Sequence, residues 1–255
     1  MLEDNDMDSL YVQQVRIKDD IPAGNYIKNL PVVKNLIDMG GLKFNKPVTF
    51  LVGENGIGKS TLIEAMAVSY GFNPEGGTKN FNFNTCNSHS DLHQHVTLVK
   101  GFNRARDGFF LRAESFYNVS SNIDKLDSEP AGGARVIDSY GGKSLHAQSH
   151  GESFLALVKN RFGGNGLYIL DEPEAALSPS GIMKLMVLMN DLVKNNSQFI
   201  ISTHSPMLIS FPDADVYEIT NQGINLVPYN QTEHFSMTKM FIENPERMLK
   251  HLLQD

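Results

Sequence analysis

The sequence predicts an α/β domain with a mainly parallel sheet, helices on both faces and a smaller antiparallel β portion. Short apolar runs alternate along the chain with segments of helical periodicity, which is the pattern of a parallel sheet flanked by helices. A glycine-rich turn joins an apolar run at Val48–Val52 to a helical segment at residues 60–70. The 255 residues, of which 41% are hydrophobic, are enough to bury a core of this kind.

The remaining elements are predicted from the same periodicities. Apolar runs of strand length cover residues 11–17, 96–100, 109–113, 167–170, 199–202, 216–219 and 224–227. Helical patterns cover residues 153–162, 182–193 and 245–253. The strand at residues 11–17 alternates like an edge strand. The strands at residues 96–100 and 109–113 look like neighbours joined by a turn, and those at residues 216–219 and 224–227 flank a hairpin turn.

Composition indicates the cellular compartment and the kinds of partner to expect for the protein. No run approaches the roughly 18 apolar residues of a membrane span, and residues 1–9 are acidic and lack the apolar core of a secretory signal. The single cysteine, Cys86, excludes an internal disulfide, so a reducing, cytoplasmic setting is expected. The net charge of −7 argues against global attraction to nucleic acid, although a local basic patch stays possible.

The glycine-rich turn fits the pattern G-x-x-x-x-G-K-[ST] and lies between a strand and a helix, the context that this motif requires. Its nucleotide-binding residues are Gly53, Glu54, Asn55, Gly56, Ile57, Gly58, Lys59, Ser60 and the adjoining Thr61. Glycines let backbone N–H groups approach phosphate oxygens, and the following helix adds the positive end of its dipole. We expect Lys59 to neutralise the β and γ phosphates of ATP and Ser60 to bind Mg²⁺.

Two later strands end in residues suited to hydrolysis. The strand at residues 167–170 is followed by Asp171 and Glu172, and charge on a buried strand is tolerated at its carboxyl end, where α/β sheets bind ligands. Asp171 is expected to hold Mg²⁺ through its water shell, and Glu172 to orient and deprotonate the attacking water. The strand at residues 199–202 should lie beside it, so that His204 faces the γ-phosphate; a structural histidine is the alternative.

These residues resemble those of the ABC ATPase superfamily over residues 48–206. More narrowly, the chain looks like the compact, non-transporter branch labelled AAA-family or SMC-like ATPases, which is akin to RecF, SMC and OLD-type proteins. Residues 171–178 resemble a Walker B motif followed by a D-loop, and His204 matches the switch histidine. The resemblance implies a single ATPase domain over residues 1–255, with an ATP-binding core at about residues 11–227 and a helical tail at about residues 236–255.

Residues 148–152 resemble the signature motif L-S-G-G-Q and retain Ser149 and Gly151, whereas His150 and Glu152 depart from it. The resemblance implies that Ser149 and Gly151 grip the γ-phosphate of an ATP held by a second subunit, giving a homodimer with ATP at its interface. A simple helix N-cap at Ser149 is the alternative. Glu114 stands where the superfamily has a glutamine that senses Mg²⁺ or water, and an ordinary strand-end acid is the alternative there.

What the ATP cycle drives stays open between three hypotheses. The first is an ATP-gated dimeric switch or motor in DNA repair or bacterial defence. The alternatives are the ATPase subunit of an ABC transporter and a regulatory ATPase that controls a soluble effector protein. Residues 117–147 show neither the amphipathic helices with which transporter ATPases dock nor a coiled coil. A basic turn with Lys100, Arg104 and Arg106 could contact DNA, although a solvated hairpin tip is the favoured explanation.

Overall fold

The computed structural model describes residues 10–18, 20–22, 24–79, 90–113, 116, 121, 124, 137–138, 142 and 149–253. In chain order, the strands of this part are β1 (Val12–Ile17), β2 (Leu42–Lys43), β3 (Val48–Val52), β4 (Val96–Lys100), β5 (Asp107–Arg112), β6 (Gly166–Asp171), β7 (Gln198–Ser202), β8 (Ala214–Ile219) and β9 (Ile224–Leu226). They form a six-stranded sheet in the order β5-β6-β7-β3-β8-β9 and a three-stranded sheet in the order β2-β1-β4. The first five strands of the larger sheet are parallel, which confirms the predicted α/β class.

Helices cover both faces of the larger sheet. The α-helices of the described part are α1 (Pro31–Asp38), α2 (Lys59–Tyr70), α3 (His150–Arg161), α4 (Pro179–Lys194), α5 (Glu233–Glu243) and α6 (Pro245–Leu253). Side chains alternate along each strand, so Leu51 and Ile200 join α1, α2 and the small sheet in one apolar cluster. Phe50 and Phe199 point to the other face and join α3 and α4 in a second cluster.

Two predictions about the placement of strands are wrong. Strands β4 and β5 do not form a hairpin, because β4 pairs with β1 in the small sheet and β5 pairs in parallel with β6. The loop between them carries the chain from one sheet to the other, and Phe102 in this loop is 92% exposed. Strand β1 is not an edge strand either, since it lies between β2 and β4. The hairpin of β8 and β9 is formed as predicted, and so is the predicted adjacency of β6 and β7.

The C-terminal tail consists of two helices and begins at Glu233, three residues before the predicted start. Neither helix contains a buried residue. The first turn of α5 is anchored, because the Thr232 hydroxyl accepts a hydrogen bond from the Phe235 backbone and Phe235 packs against the core. Apolar side chains farther along, including Ile242 and Leu253, are exposed.

Two predictions concern parts of the chain that are not described. Glu114 lies outside the described residues, so its role stays a prediction. The segment 117–147 is described only at residues 121, 124, 137–138 and 142, so the expected absence of a docking subdomain stays a prediction as well. Among the residues that are described, no helix has the length and apolar character needed to cross a membrane.

Candidate functional site

Residues with ionisable or hydroxyl side chains lie together at the carboxyl edge of the parallel sheet. The strand registers place Arg112 beside Asp171, Asp171 beside Ser202, and Ser202 beside Leu51, all in one row. The phosphate loop begins two residues after Leu51, Glu172 directly follows Asp171, and His204 lies two residues after Ser202. Parallel pairing therefore brings together residues that are more than a hundred positions apart in sequence.

The phosphate loop is shaped by glycines that no other residue could replace without strain. Gly53 has a φ of 147°, and a Cβ atom there would lie 2.3 Å from the carbonyl oxygen of Ile219. Gly58 has a φ of 100° and immediately precedes α2. The tip of the loop, Glu54 to Gly56, is exposed, whereas Ile57 anchors it in the core. The loop is thus open to solvent at the positions where backbone N–H groups would meet phosphate.

Lys59 lies buried within this loop. Its Nζ donates hydrogen bonds to the carbonyl oxygens of Gly53, at 2.7 Å, and Glu54, at 2.8 Å. Burial lowers the pKa of Lys59, and nearby carboxylates, chiefly that of Glu172, oppose this shift. The ammonium group therefore stands at the centre of the loop, held by groups that a phosphate could displace.

Asp171 and Ser60, two of the residues predicted to hold Mg²⁺, are in direct contact. Asp171 is 5% exposed and accepts hydrogen bonds from the Ser60 and Ser202 hydroxyls. Burial raises the pKa of Asp171, although these hydrogen bonds and Arg112, whose Nε lies 3.4 Å from Oδ2, act in the opposite direction. A carboxylate and a hydroxyl side by side fit Mg²⁺, which takes few protein ligands and keeps several waters. In the described part, no group of three or more acidic, histidine or cysteine side chains offers a separate protein-only metal site.

Glu172 occupies the turn that follows β6. Its φ of 50° places it in the left-handed region, and its backbone N–H donates to the carbonyl oxygen of Ser202. Its side chain is 37% exposed, so water can reach the carboxylate. Oε1 lies 3.5 Å from Nε2 of His204. The arrangement brings a carboxylate and an imidazole to the edge next to the phosphate loop.

His204 is held from several directions. Its backbone N–H donates to Oε1 of Glu174, and its Nδ1 lies 2.9 Å from Nε2 of His234 on α5. Burial, followed by the charge of Lys59 and the presence of His234, lowers the pKa of His204 to about 4. The imidazole is therefore neutral at physiological pH.

Three residues of this site were not assigned roles from the sequence. Arg112 bridges Asp171 and Glu64 of α2, with Nη1 lying 2.6 Å from Glu64 Oε2. Glu174 was visible as part of the D-loop segment, and Arg112 could have been found from its place at a strand end. His234 had no sequence signal, since it lies 30 residues beyond His204 and belongs to no motif.

Ser149 and Gly151 lie away from this group, at the start of α3. Ser149 caps the helix in a capping box with Glu152, whose Oε2 accepts a hydrogen bond from the Ser149 hydroxyl at 2.6 Å. Both residues of the box are exposed or half-exposed, and together with Gly151 and residues of the D-loop segment they border a cavity of about 240 Å³. The helix N-cap, which the sequence offered as the alternative at Ser149, is therefore present, and the role of Ser149 and Gly151 in gripping a phosphate stays a prediction.

A glycine loop that opens a helix, beside a parallel strand tipped with acids, defines a P-loop nucleotide-binding domain. A family model described as "AAA domain, putative AbiEii toxin, Type IV TA system" matches residues 153–210. A second one, described as "AAA domain", matches residues 36–130.

The chain is also similar to two curated ATP-binding proteins. It is 32% identical over 169 residues to the guanosine import ATP-binding protein NupO of Bacillus subtilis (strain 168), covering 59% of this chain and 31% of NupO. It is 29% identical over 176 residues to the nucleoside import ATP-binding protein NupA of Lactococcus lactis subsp. cremoris (strain MG1363), covering 60% of this chain and 32% of NupA. The chain thus spans about a third of the length of these relatives.

Similar solved structures include cbiO1 from Clostridium perfringens, with a TM-score of 0.48, 16% identity and coverage of 96% of this chain and 99% of that chain. They also include the SMC head bound to the C-winged helix domain of ScpA, with a TM-score of 0.47, 14% identity and coverage of 85% and 97%. The phosphate loop, the acid-tipped strand and the sequence matches together support an ABC-type P-loop ATPase.

Proposed function

We propose that this chain binds ATP with Mg²⁺ and hydrolyses it, with Glu172 as the base that activates water. The observation that supports this most strongly is the convergence of Lys59, Asp171, Glu172 and His204 at one sheet edge. Phosphoryl transfer to water asks the protein mainly for positioning and for charge at the phosphates, and these residues supply both.

Each residue takes a role that follows from its surroundings. Lys59 exchanges the carbonyl oxygens of Gly53 and Glu54 for phosphate oxygens. Ser60 and Asp171 would hold Mg²⁺, which when bound neutralises charge on the phosphate oxygens. Glu172, reachable by water, takes the proton of the attacking water molecule. His204 is neutral and so can donate a hydrogen bond toward the γ-phosphate without adding a charge.

We further propose that two copies of the chain enclose ATP between them. Ser149 and Gly151 start a helix whose N-terminus is exposed, and a helix N-terminus is an anion-binding group. A head-to-tail pair related by a two-fold axis would place this N-terminus over the ATP of the other copy. ATP would then stabilise the dimer by mass action, and hydrolysis would loosen it.

For the process driven by this cycle, we favour a cytoplasmic switch in bacterial defence that acts on a soluble effector or on DNA. The description of the family model that matches residues 153–210, which names a toxin of a toxin–antitoxin system, supports this choice over DNA repair. Nucleoside import is the second candidate, because both curated relatives are import ATP-binding proteins. Native pull-down with mass spectrometry, with and without ATP, separates the two: a membrane permease favours import, and a soluble toxin or nuclease favours defence.

The hydrolytic assignment is tested by Glu172→Gln, which keeps the shape of the side chain and removes the base. Turnover should fall by about 10² to 10⁴, the usual contribution of a positioned base, while ATP still binds. The matched control is Glu243→Gln, an exposed acid on α5 whose loss should leave turnover unchanged. Near-normal hydrolysis by Glu172→Gln would assign the base to another residue.

A further inference from the structure

His234 lies outside every motif in the sequence, yet it contacts the switch histidine. Nε2 of His234 is 2.9 Å from Nδ1 of His204, and the two rings are 4.9 Å apart between centroids. His234 is the second residue of α5, whose first turn is fixed by Thr232 and by a hydrogen bond from the Glu233 backbone to Oε1 of Glu218 on β8. The contact is therefore made by an anchored turn and not by the exposed end of the tail.

The hydrogen bond between the rings carries one proton, and the two possible arrangements differ in what they do to His204. If His234 donates, Nδ1 of His204 accepts, and His204 carries its proton on Nε2. That proton then faces Oε1 of Glu172 at 3.5 Å. If His204 donates instead, its Nε2 lone pair faces the same carboxylate, which is a repulsive arrangement.

The second ring nitrogen of His234 also distinguishes the two arrangements. Its Nδ1 is buried and has no hydrogen-bond partner among the described residues. When His234 donates through Nε2, Nδ1 bears only a lone pair. When His234 accepts through Nε2, Nδ1 must carry a proton, and no acceptor in the described part of the chain faces it. Nε2 of His204 is also buried without a hydrogen-bond partner among the described residues, but the Glu172 carboxylate lies 3.5 Å away, so a proton on that nitrogen faces an acceptor group. Because orphaned buried N–H groups are avoided, the arrangement in which His234 donates is favoured.

From this geometry we infer that His234 is a positioning residue, which holds His204 in the tautomer that presents an Nε2–H group to the catalytic edge. The inference rests on the proposed hydrolytic function, because it gives His204 the donor that a γ-phosphate would need. A lone imidazole would divide its proton between the two nitrogens and could turn about its χ2 bond. The hydrogen bond from His234 fixes both tautomer and orientation, as outer partners do for other functional histidines.

His234 also links this edge to the phosphate loop. It borders a cavity of about 310 Å³ together with Gly53 and Glu54 of the loop and with Glu218 and Glu233. Displacement of Lys59 from the carbonyl oxygens of Gly53 and Glu54 would act on one wall of this cavity. His204 is thus contacted by a residue of α5 that borders the same cavity as the phosphate loop.

The first test measures the tautomer directly. Long-range ¹H–¹⁵N spectra of the full chain with labelled histidine, at neutral pH, should show His204 with a protonated Nε2 and an unprotonated Nδ1; His204→Ala and His234→Leu spectra assign the signals. In His234→Leu the His204 signals should move toward a mixture of tautomers. A wild-type His204 protonated on Nδ1 would overturn the proposal. Because no turnover is needed, this result is independent of whether the chain hydrolyses ATP.

The second test is kinetic and uses His234→Leu and His234→Gln, since the glutamine amide can still donate to Nδ1 of His204. His234→Leu should lower kcat about tenfold, the effect of losing one orienting hydrogen bond, with KM for ATP little changed. His234→Gln should recover most of this loss. His251→Leu, which removes an exposed histidine of α6, is the matched control and should match wild type.

A double-mutant cycle separates positioning from a general structural role. If His234 acts through His204, then His234→Leu should have no further effect on kcat in a His204→Ala background. An equal loss in both backgrounds, an unchanged kcat in the single variant, or failure of glutamine to restore activity would each overturn the proposal. Loss of hydrolysis in Glu172→Gln together with normal activity in His234→Leu would retain the proposed function and reject this inference alone.

Discussion

The two regions assigned to ATP differ in how complete they are within one chain. At the sheet edge, Lys59, Asp171 and His204 are partly or fully buried. Lys59 bonds to carbonyl oxygens of the phosphate loop, and Asp171 and His204 have polar partners from other elements. At the start of α3, Ser149 is exposed, and its partner is Glu152 of the same helix turn. The first region is preorganised by the core, whereas the second is a helix end that bonds to itself.

This difference indicates which of the two regions a second copy of the chain would complete. Preorganised charge at the sheet edge requires three-dimensional packing, and the parallel registers provide it within a single chain. A capped helix N-terminus needs only a local sequence, and it becomes useful when an anion approaches from outside. Breaking the first region should therefore remove nucleotide binding or hydrolysis, whereas breaking the second should affect only association.

The largest effect is expected from Lys59→Ala. Removing the ammonium should weaken ATP binding at least about 100-fold, because at least two charge-assisted hydrogen bonds to phosphate are lost. Isothermal titration with ATP and Mg²⁺ measures this. Lys34→Ala is the control, since Lys34 is exposed on α1, a helix that packs against the phosphate loop. ATP affinity equal to that of wild type would remove the loop from the binding site.

Lys59→Ala should also show that the loss is local. The side chain bonds only to carbonyl oxygens of its own loop, and it is not part of either apolar cluster. The thermal midpoint without nucleotide should therefore stay within a few degrees of wild type, as expected when no core contact is lost. A large fall in this midpoint would mean that the lysine supports the fold.

The sequence predicted that the ends of β6 and β7 meet at one sheet edge, because the residues there belong to local patterns. The glycine-rich turn that contains Gly58 and the acidic pair that begins at Asp171 are each recognisable within about ten residues. Parallel strands then bring these two motifs to the same edge of the sheet. The β4–β5 pairing was predicted wrongly because proximity in sequence was taken for pairing, although the turn residues between these strands serve a crossover between sheets. His234 could not be predicted at all, since its contact depends on where α5 begins.

Association is the next effect to test, and it concerns the second region alone. Glu172→Gln should trap ATP, so sedimentation with ATP and Mg²⁺ should show a shift toward the dimer. Adding Ser149→Arg should reverse this shift by placing bulk and charge at the proposed interface. ATP binding by the monomer should persist in the double variant, because Ser149 lies outside the sheet-edge group.

A matched substitution separates the interface from helix capping. Ser149→Thr retains a hydroxyl cap, so its dimer should resemble that of the parent. If Glu172→Gln stays monomeric at saturating ATP, or if Ser149→Arg dimerises as well as its parent, then the two-copy arrangement does not apply to this protein.

The smallest effect concerns Glu152, whose carboxylate takes up both polar groups that Ser149 would offer to a phosphate. It accepts from the Ser149 hydroxyl and from the Ser149 backbone N–H, and these two bonds lower the pKa of Glu152, so it is ionised at neutral pH. An anion that approaches this helix end must displace a carboxylate and is repelled by it.

Glu152→Gln keeps a side chain able to complete the capping box but removes the charge. In the Glu172→Gln background it should therefore tighten the ATP-dependent dimer by about two- to fivefold, with a gain that shrinks as salt is added. Glu243→Gln again controls for net charge. An unchanged or weaker dimer would show that the carboxylate does not compete with phosphate at this end of α3.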